Sequence, residues 1–273
     1  LTWPDHTAAN QTDSAVRYFR AALLHFSPPI SDILPQTDPL KTTHRGSPLE
    51  NRRKVESRKA RPIVVLHPFW EVPMHDPVLA FLAEMAAVFR QEPRDCAQQT
   101  ADQLARFASP EFTRSADRAD CAAIRGLLSA SPLAVAQAAL AAHDMLPWGV
   151  NPVADQVSAA DNALYSVLNL MGPDAPLFSP DLRAGLYYQR PNTRYGLHSH
   201  AAAETYVIIA GRAYWTAGDA QKELTAGHSV HHSTYLPHAC QTGDQGVVAL
   251  WRWSGDIGTE SYRVHHGTDA FAA

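Results

Sequence analysis

The sequence predicts a mainly β chain, with a small antiparallel barrel or double-stranded β-helix at its C-terminal end and an α-helical N-terminal region before it. Three observations carry this. From Asp181 onward apolar and polar residues alternate in short runs broken by Gly, Asp, Asn and Pro, which is the period of strands. Between residues 63 and 172 apolar residues recur at three- and four-residue spacing, which is the period of helices. The stretch His198–Gly211, HSHAAAETYVIIAG, then gathers metal-ligand side chains on one of the strands.

Taken in order, residues 1–62 read as a flexible, basic, Pro-rich extension. Ser14–Phe26 can form a short amphipathic helix, and prolines follow at 28, 29, 35, 39 and 48. Lys41 to Arg61 carries eight of the 23 Lys and Arg residues against two acids, a composition that buries little surface. Residues 63–172 form a helical region expected to pack on the barrel. Asp76-Pro77 is an N-cap followed by proline at the first helical position, and Val78, Phe81, Leu82, Met85, Val88 and Phe89 make one apolar face. Further helices are predicted over Asp95–Phe107, Ser115–Ser129, Ser131–His143 (again with a cap-plus-proline start) and Asp155–Leu170. Residues 173–273 form the barrel. Its strands are Arg183–Arg190, Tyr195–His200, Thr205–Trp215, Val230–Thr234, Val247–Trp253 and Ser261–His265, a density that fits a small closed β architecture.

Composition narrows the function. A net charge of −4 gives no general reason to expect nucleic acid, and no apolar run reaches the roughly 18 residues of a membrane helix. The first residues lack the basic start and apolar core of a secretory signal. Cys96, Cys121 and Cys240 are too few and scattered for a disulfide framework, so a reducing cytoplasm is expected. Cys240 reads as a buried, inert thiol. Isolated His67, His75 and His143 carry no functional signal.

Residues two apart on a strand share a face, so His198 and His200 aim at one point, and Glu204 and Tyr206 do the same. His238 offers a fourth ligand 34 residues beyond the glutamate. Imidazole and carboxylate suit one divalent transition ion, whether Zn, Fe, Mn or Ni. His228, His231 and His232 fit no metal spacing and receive no role; His231 and His232 must face opposite ways.

The string His-x-His, three residues, Glu, six residues, Gly, with a later Pro-His, resembles the cupin signature. The second motif departs from it, since no glycine separates Pro237 from His238. With Tyr206 and Tyr195 added, the C-terminal hundred residues resemble the cupin-type dimethylsulfoniopropionate (DMSP) lyases of bacteria, the DddL kind in particular. That resemblance implies a double-stranded β-helix in which His198, His200, Glu204 and His238 hold the metal. It also implies Tyr206 as the base and Tyr195 as a further active-site tyrosine.

The implied reaction removes a proton beside a carboxylate and expels dimethyl sulfide, leaving acrylate. A metal on the carboxylate would stabilise the developing charge, and would draw a phenol, ordinarily of pKa about 10, toward phenolate. The cationic sulfonium would sit against aromatic faces, for which Tyr187, Tyr188, Trp215, Trp251, Trp253 and Tyr262 are the candidates. The expected partner is therefore a small sulfonium molecule, without nucleic acid or membrane, and assembly as a homodimer is left open. Two alternatives share the ligands: an iron-dependent cupin dioxygenase, and a non-catalytic module that binds a small ligand. An oxygenase has no need of a phenolic base, which favours the lyase.

Overall fold

The computed structural model describes residues 26–27, 76–107, 112 and 120–265. The predicted helix at Ser14–Phe26, the basic segment at 41–61, the apolar run at 63–66, and His67 and His75 lie outside these residues, apart from the end of that first helix. Its final residue, Phe26, stands instead in a two-residue strand, β1 (Phe26–Ser27).

Five α-helices follow among the described residues. Helix α1 (Pro77–Arg90) starts as its sequence predicts, with the Asp76 carboxylate accepting from the Val78 N–H at 2.9 Å. Its apolar stripe, including Phe81, Met85 and Phe89, is fully buried. Helices α2 (Asp95–Leu104) and α4 (Ala134–Ala142) pack on it, and α3 (Cys121–Ala130) packs on α4 and the sheet. Ser131 is not the cap of α4: the N-cap is Leu133, and the Ser131 hydroxyl donates to the Ile209 carbonyl at 2.6 Å, tying the helices to the sheet. The long helix predicted over Asp155–Leu170 is absent. A 3-10 turn at Ala154–Gln156 and the single turn α5 (Ala159–Asn162) lead into strand β2 (Tyr165–Gly172).

The remaining strands are β3 (Leu177–Phe178), β4 (Leu182–Gln189), β5 (Arg194–Ser199), β6 (Ala203–Ala217), β7 (Ala220–Thr225), β8 (Ser229–His232), β9 (His238–Ser254) and β10 (Arg263–Val264). They hydrogen-bond in the order β1-β8-β6-β9-β4-β2-β3, with β5 on β9, β10 on β5 and β7 on β6. The expected closed barrel is therefore corrected. Among the described residues the sheet is one branched, ten-stranded surface whose path ends at β1 and β3 without the pairing that would close it. With its helices the fold is mixed α/β and cupin-like, not mainly β.

The sheet bends where it needs to carry the site. The β6–β9 register shifts between Ile208 and Ala210 and again between Gly211 and Ala213. Gly211 (φ 74°) and Gly246 (φ 77°) face each other there, and a Cβ on Gly211 would stand 2.3 Å from the Gly246 carbonyl oxygen. Beyond this bend the first half of β9 turns back between β5 and the end of β6, so that His238 lies opposite His198.

Both faces of the central strands are covered. Leu168, Leu186, Val207 and Leu250 pack on the helices, while Tyr187, Tyr206, Ile208 and Trp251 form a second cluster on the opposite face. A buried network pins the two halves together. Arg252, fully buried, donates to Glu92 Oε1 at 2.7 Å, to Thr205 Oγ1 at 3.0 Å and to Ser254 Oγ at 3.1 Å. On the far side Arg190 bonds Asp120, which also accepts from Ser166 at 2.6 Å.

Candidate metal centre

Strand geometry brings the candidate ligands together. His198 and His200 come from β5 and the residue after it, Glu204 from β6 and His238 from the start of β9. All four are buried. The ligand nitrogens of His198, His200 and His238 lie within 4.8 Å of one another, and Glu204 forms a second such group with His238 and His232.

The tautomers are set by the backbone. The Nδ1 of His198 stands 2.8 Å from the Gly196 carbonyl, that of His200 3.0 Å from the Ala202 carbonyl, and that of His238 2.8 Å from the Leu236 carbonyl. A carbonyl only accepts, so each Nδ1 carries the hydrogen, and each ring in its neutral form turns its Nε2 lone pair inward. Burial pushes the pKa of His198 well below its ordinary value and that of His238 down as well, which keeps both rings neutral.

Two of these lone pairs face one carboxylate oxygen. Nε2 of His200 is 3.3 Å and Nε2 of His238 3.1 Å from Glu204 Oε2, yet neither nitrogen has a hydrogen-bond partner. Lone pairs crowded this way repel unless a cation lies among them. Ligand atoms about 2.0–2.1 Å from one ion stand roughly 3.0–3.4 Å from each other, which matches these spacings. The residues thus fit a divalent metal, whose identity the donor set leaves open. Burial would push the Glu204 carboxyl up, and donation from His232 Nδ1 to Oε2 at 3.2 Å works in the opposite direction. Its other oxygen, Oε1, accepts from the Trp253 indole at 2.7 Å.

The cluster opens into a pocket of about 380 Å³, mouth included. Of the sequence-predicted residues, Tyr187, Tyr195, Tyr206, Trp251, Trp253 and Tyr262 line it. Tyr188 and Trp215 do not. Tyr188 follows Tyr187 on β4 and so faces the helices; Trp215 lies past the β6 bend and stands behind His232, to which its indole donates at 3.1 Å. Sequence reasoning missed Tyr165 and the Asn151–Val153 segment, which also line the pocket. It missed His232 too, directly opposite Glu204 on β8. Burial pushes the Tyr165 phenol up to about 12.

The two candidate bases differ in their surroundings. The Tyr195 hydroxyl is hydrogen-bonded to that of Tyr262, and its ring stacks on His198 with centroids 4.2 Å apart. Tyr206 shares the Glu204 face of β6; burial and then the Glu204 charge push its pKa well above the ordinary phenol value. Tyr195 is pushed up mainly by burial and by the neighbouring Tyr262 and Tyr165. Cys240 is buried and its thiol pushed well up, as an inert core thiol should be.

Known proteins share parts of this sequence and fold. DMSP lyase DddQ of Ruegeria pomeroyi is 31% identical over 127 residues, which cover 46% of this chain and 63% of that relative. The crystal structure of DddQ from R. pomeroyi DSS-3 matches with a TM-score of 0.51 at 26% identity, covering 69% of this chain and 96% of that one. A structure from a study of the DMSP lyases RdDddP and RnDddQII matches with a TM-score of 0.52, covering 69% of this chain and 97% of that one; at 21% identity it speaks for the fold alone. These relatives are of the DddQ type, which corrects the expected kinship with DddL. No helix among the described residues is long and apolar enough to cross a membrane. The family model for DMSP lyase matches residues 94–249, more than half of the sequence and all four expected metal ligands, so the chain belongs to the DMSP lyase family, a family of carbon–sulfur lyases.

Proposed function

We propose that the protein is a metal-dependent lyase that cleaves DMSP to dimethyl sulfide and acrylate by base-catalysed β-elimination, with His198, His200, Glu204 and His238 as metal ligands. The observation that carries this reading is the pairing of inward-facing imidazoles and Glu204 with a pocket wall that, among the described residues, has five tyrosines and no Lys or Arg. Such a wall repels no cation and offers a substrate carboxylate no side-chain counter-charge. A divalent ion, when bound, supplies Lewis-acid stabilisation of the charge that develops on that carboxylate.

The chain's own groups do the rest. The sulfonium lies against Tyr187, Trp251 and neighbouring rings, at about 0.5–2 kcal/mol per cation–π contact. Tyr206, acting as the phenolate after its own proton has passed to solvent, takes the proton from the carbon beside the carboxylate. The C–H electron pair becomes the new C=C bond, the C–S bond breaks, and its pair leaves on sulfur. Burial and Glu204 oppose the phenolate form of Tyr206, and the positive charge of the arriving sulfonium works against that opposition. Tyr195, bonded to Tyr262, orients the substrate.

The test is headspace detection of dimethyl sulfide from purified, metal-loaded protein given DMSP, with and without oxygen. Equal release in both supports elimination. No release, or release only with oxygen, contradicts it.

A further inference from the structure

We propose that His232 is a positioning residue of the metal centre: fixed in one tautomer by Trp215, it holds the Glu204 carboxylate turned toward His200 and His238. The proposal rests on the reading of the cluster as a metal site. It goes beyond the four ligands, because nothing in the His-x-His…Glu…His pattern calls for a fifth polar side chain.

The hydrogen bonds leave little freedom. An indole N–H can only donate, so His232 Nε2, 3.1 Å from Trp215 Nε1, must accept. The neutral ring then carries its hydrogen on Nδ1, which stands 3.2 Å from Glu204 Oε2. Trp253 donates to Oε1 at 2.7 Å from another direction. The carboxylate is therefore gripped at both oxygens and cannot rotate without breaking a buried bond. The gripped oxygen Oε2 is the one that faces the His200 and His238 lone pairs.

The same ring also steadies a second ligand. It lies flat on His238, with centroids 3.9 Å apart and planes 15° from parallel. His232 is wholly buried and pairs with Glu204 in the β6–β8 register, so its backbone is held as firmly as its ring. With Nε2 taken by Trp215 and a hydrogen on Nδ1, His232 has no lone pair left for a metal. Its neighbour His231 faces away, against Thr205, so the role is not shared.

The experiment measures Zn(II) affinity of the full chain by competition with a chromophoric chelator, and counts histidine ligands on bound Co(II) by X-ray absorption. His232→Phe keeps a flat ring over His238 and removes the donor. It should weaken affinity about 10–100-fold, the usual cost of losing a partner behind a metal ligand, with the histidine count unchanged. His232→Asn places an amide N–H where Nδ1 was and should recover affinity to within a few-fold of wild type. Wild-type affinity in His232→Phe overturns the proposal, as does an Asn variant no better than Phe. A histidine count lowered by one overturns it in favour of His232 as a ligand. Should His232→Phe fail to fold by circular dichroism, the double variant Trp215→Phe/His232→Phe, which leaves no indole donor stranded, is read by the same criteria. Wild-type protein that binds no divalent ion would instead overturn the metal reading itself.

Discussion

Replacing either partner of the buried Glu92–Arg252 pair should destabilise the protein, and by unequal amounts. Arg252 is fully buried and reaches Glu92 Oε1 at 2.7 Å, whereas the Glu92 side chain is 11% exposed and also accepts from Arg94 at 2.9 Å and Thr205 at 3.0 Å. Removing one member of a buried pair costs about 3–5 kcal/mol, mostly through the charge left behind. In Arg252→Met the stranded carboxylate keeps Arg94 and Thr205, so the loss should fall near the lower end, about 3 kcal/mol. In Glu92→Gln the guanidinium loses its counter-charge and keeps, among the described residues, only neutral partners, namely the amide oxygen in place of Oε1, Thr205, Ser254 and the Cys96 sulfur, so the loss should approach about 5 kcal/mol. The double variant should lose much less than the sum, since no unpaired charge remains. Urea titration followed by tryptophan fluorescence gives all three values. A loss below about 1 kcal/mol in both single variants, or a larger loss in Arg252→Met than in Glu92→Gln, would refute the reasoning.

Other perturbations bear on the site and its support. Tyr206→Phe keeps the ring and should lower turnover about 10²–10⁴-fold with metal content unchanged; if Tyr195→Phe is dead while Tyr206→Phe turns over normally, the two roles are reversed. His143 is buried beside Trp148 with both ring nitrogens unpartnered, and burial, then Arg125, lower its pKa to about 4. The unfolded chain therefore binds this proton first. The contribution is whole above pH about 6.5 and is lost as pH falls toward 4, by about 2 kcal/mol after allowance for screening. His143→Leu should flatten that part of the stability–pH curve measured by thermal unfolding, and an unchanged slope would contradict the assignment. We further propose that residues 1–62 act as an extension separable from the catalytic fold. Deleting residues 1–60 removes the two-residue pairing of β1 with β8 and should cost no more than about 1–2 kcal/mol; a truncated protein that cannot bind metal would contradict this.

What the sequence made legible follows from which faces are buried. Helix α1 could be read closely because one face is wet, so that its stripe and the Asp76-Pro77 start stand out. The clustering of His198, His200 and Glu204 could be read because it needs only the strand period. Strand β2 could not: every residue of Tyr165–Gly172 is buried, since helices cover one face and the pocket cluster the other, and the alternation that marks a strand is erased. Tyr165 was lost with it. His232 and the open sheet were hidden for another reason. They depend on register between β6, β8 and β9 and on the bend at Gly211 and Gly246, and no local pattern encodes which strand lies beside which. Tyr188 and Trp215 were misplaced because aromatic content says nothing about the face a side chain takes.

The most direct test of the account is to load metal-stripped protein with increasing Zn(II), Fe(II), Mn(II) or Ni(II) and to measure bound metal and dimethyl sulfide release on the same samples. The account predicts that, for an active ion, release from DMSP rises in proportion to bound metal and saturates at one ion per chain. Acrylate should appear in equal amount, and both signals should be lost together in Glu204→Ala. Full release from metal-free protein, or undiminished release from Glu204→Ala, would contradict it.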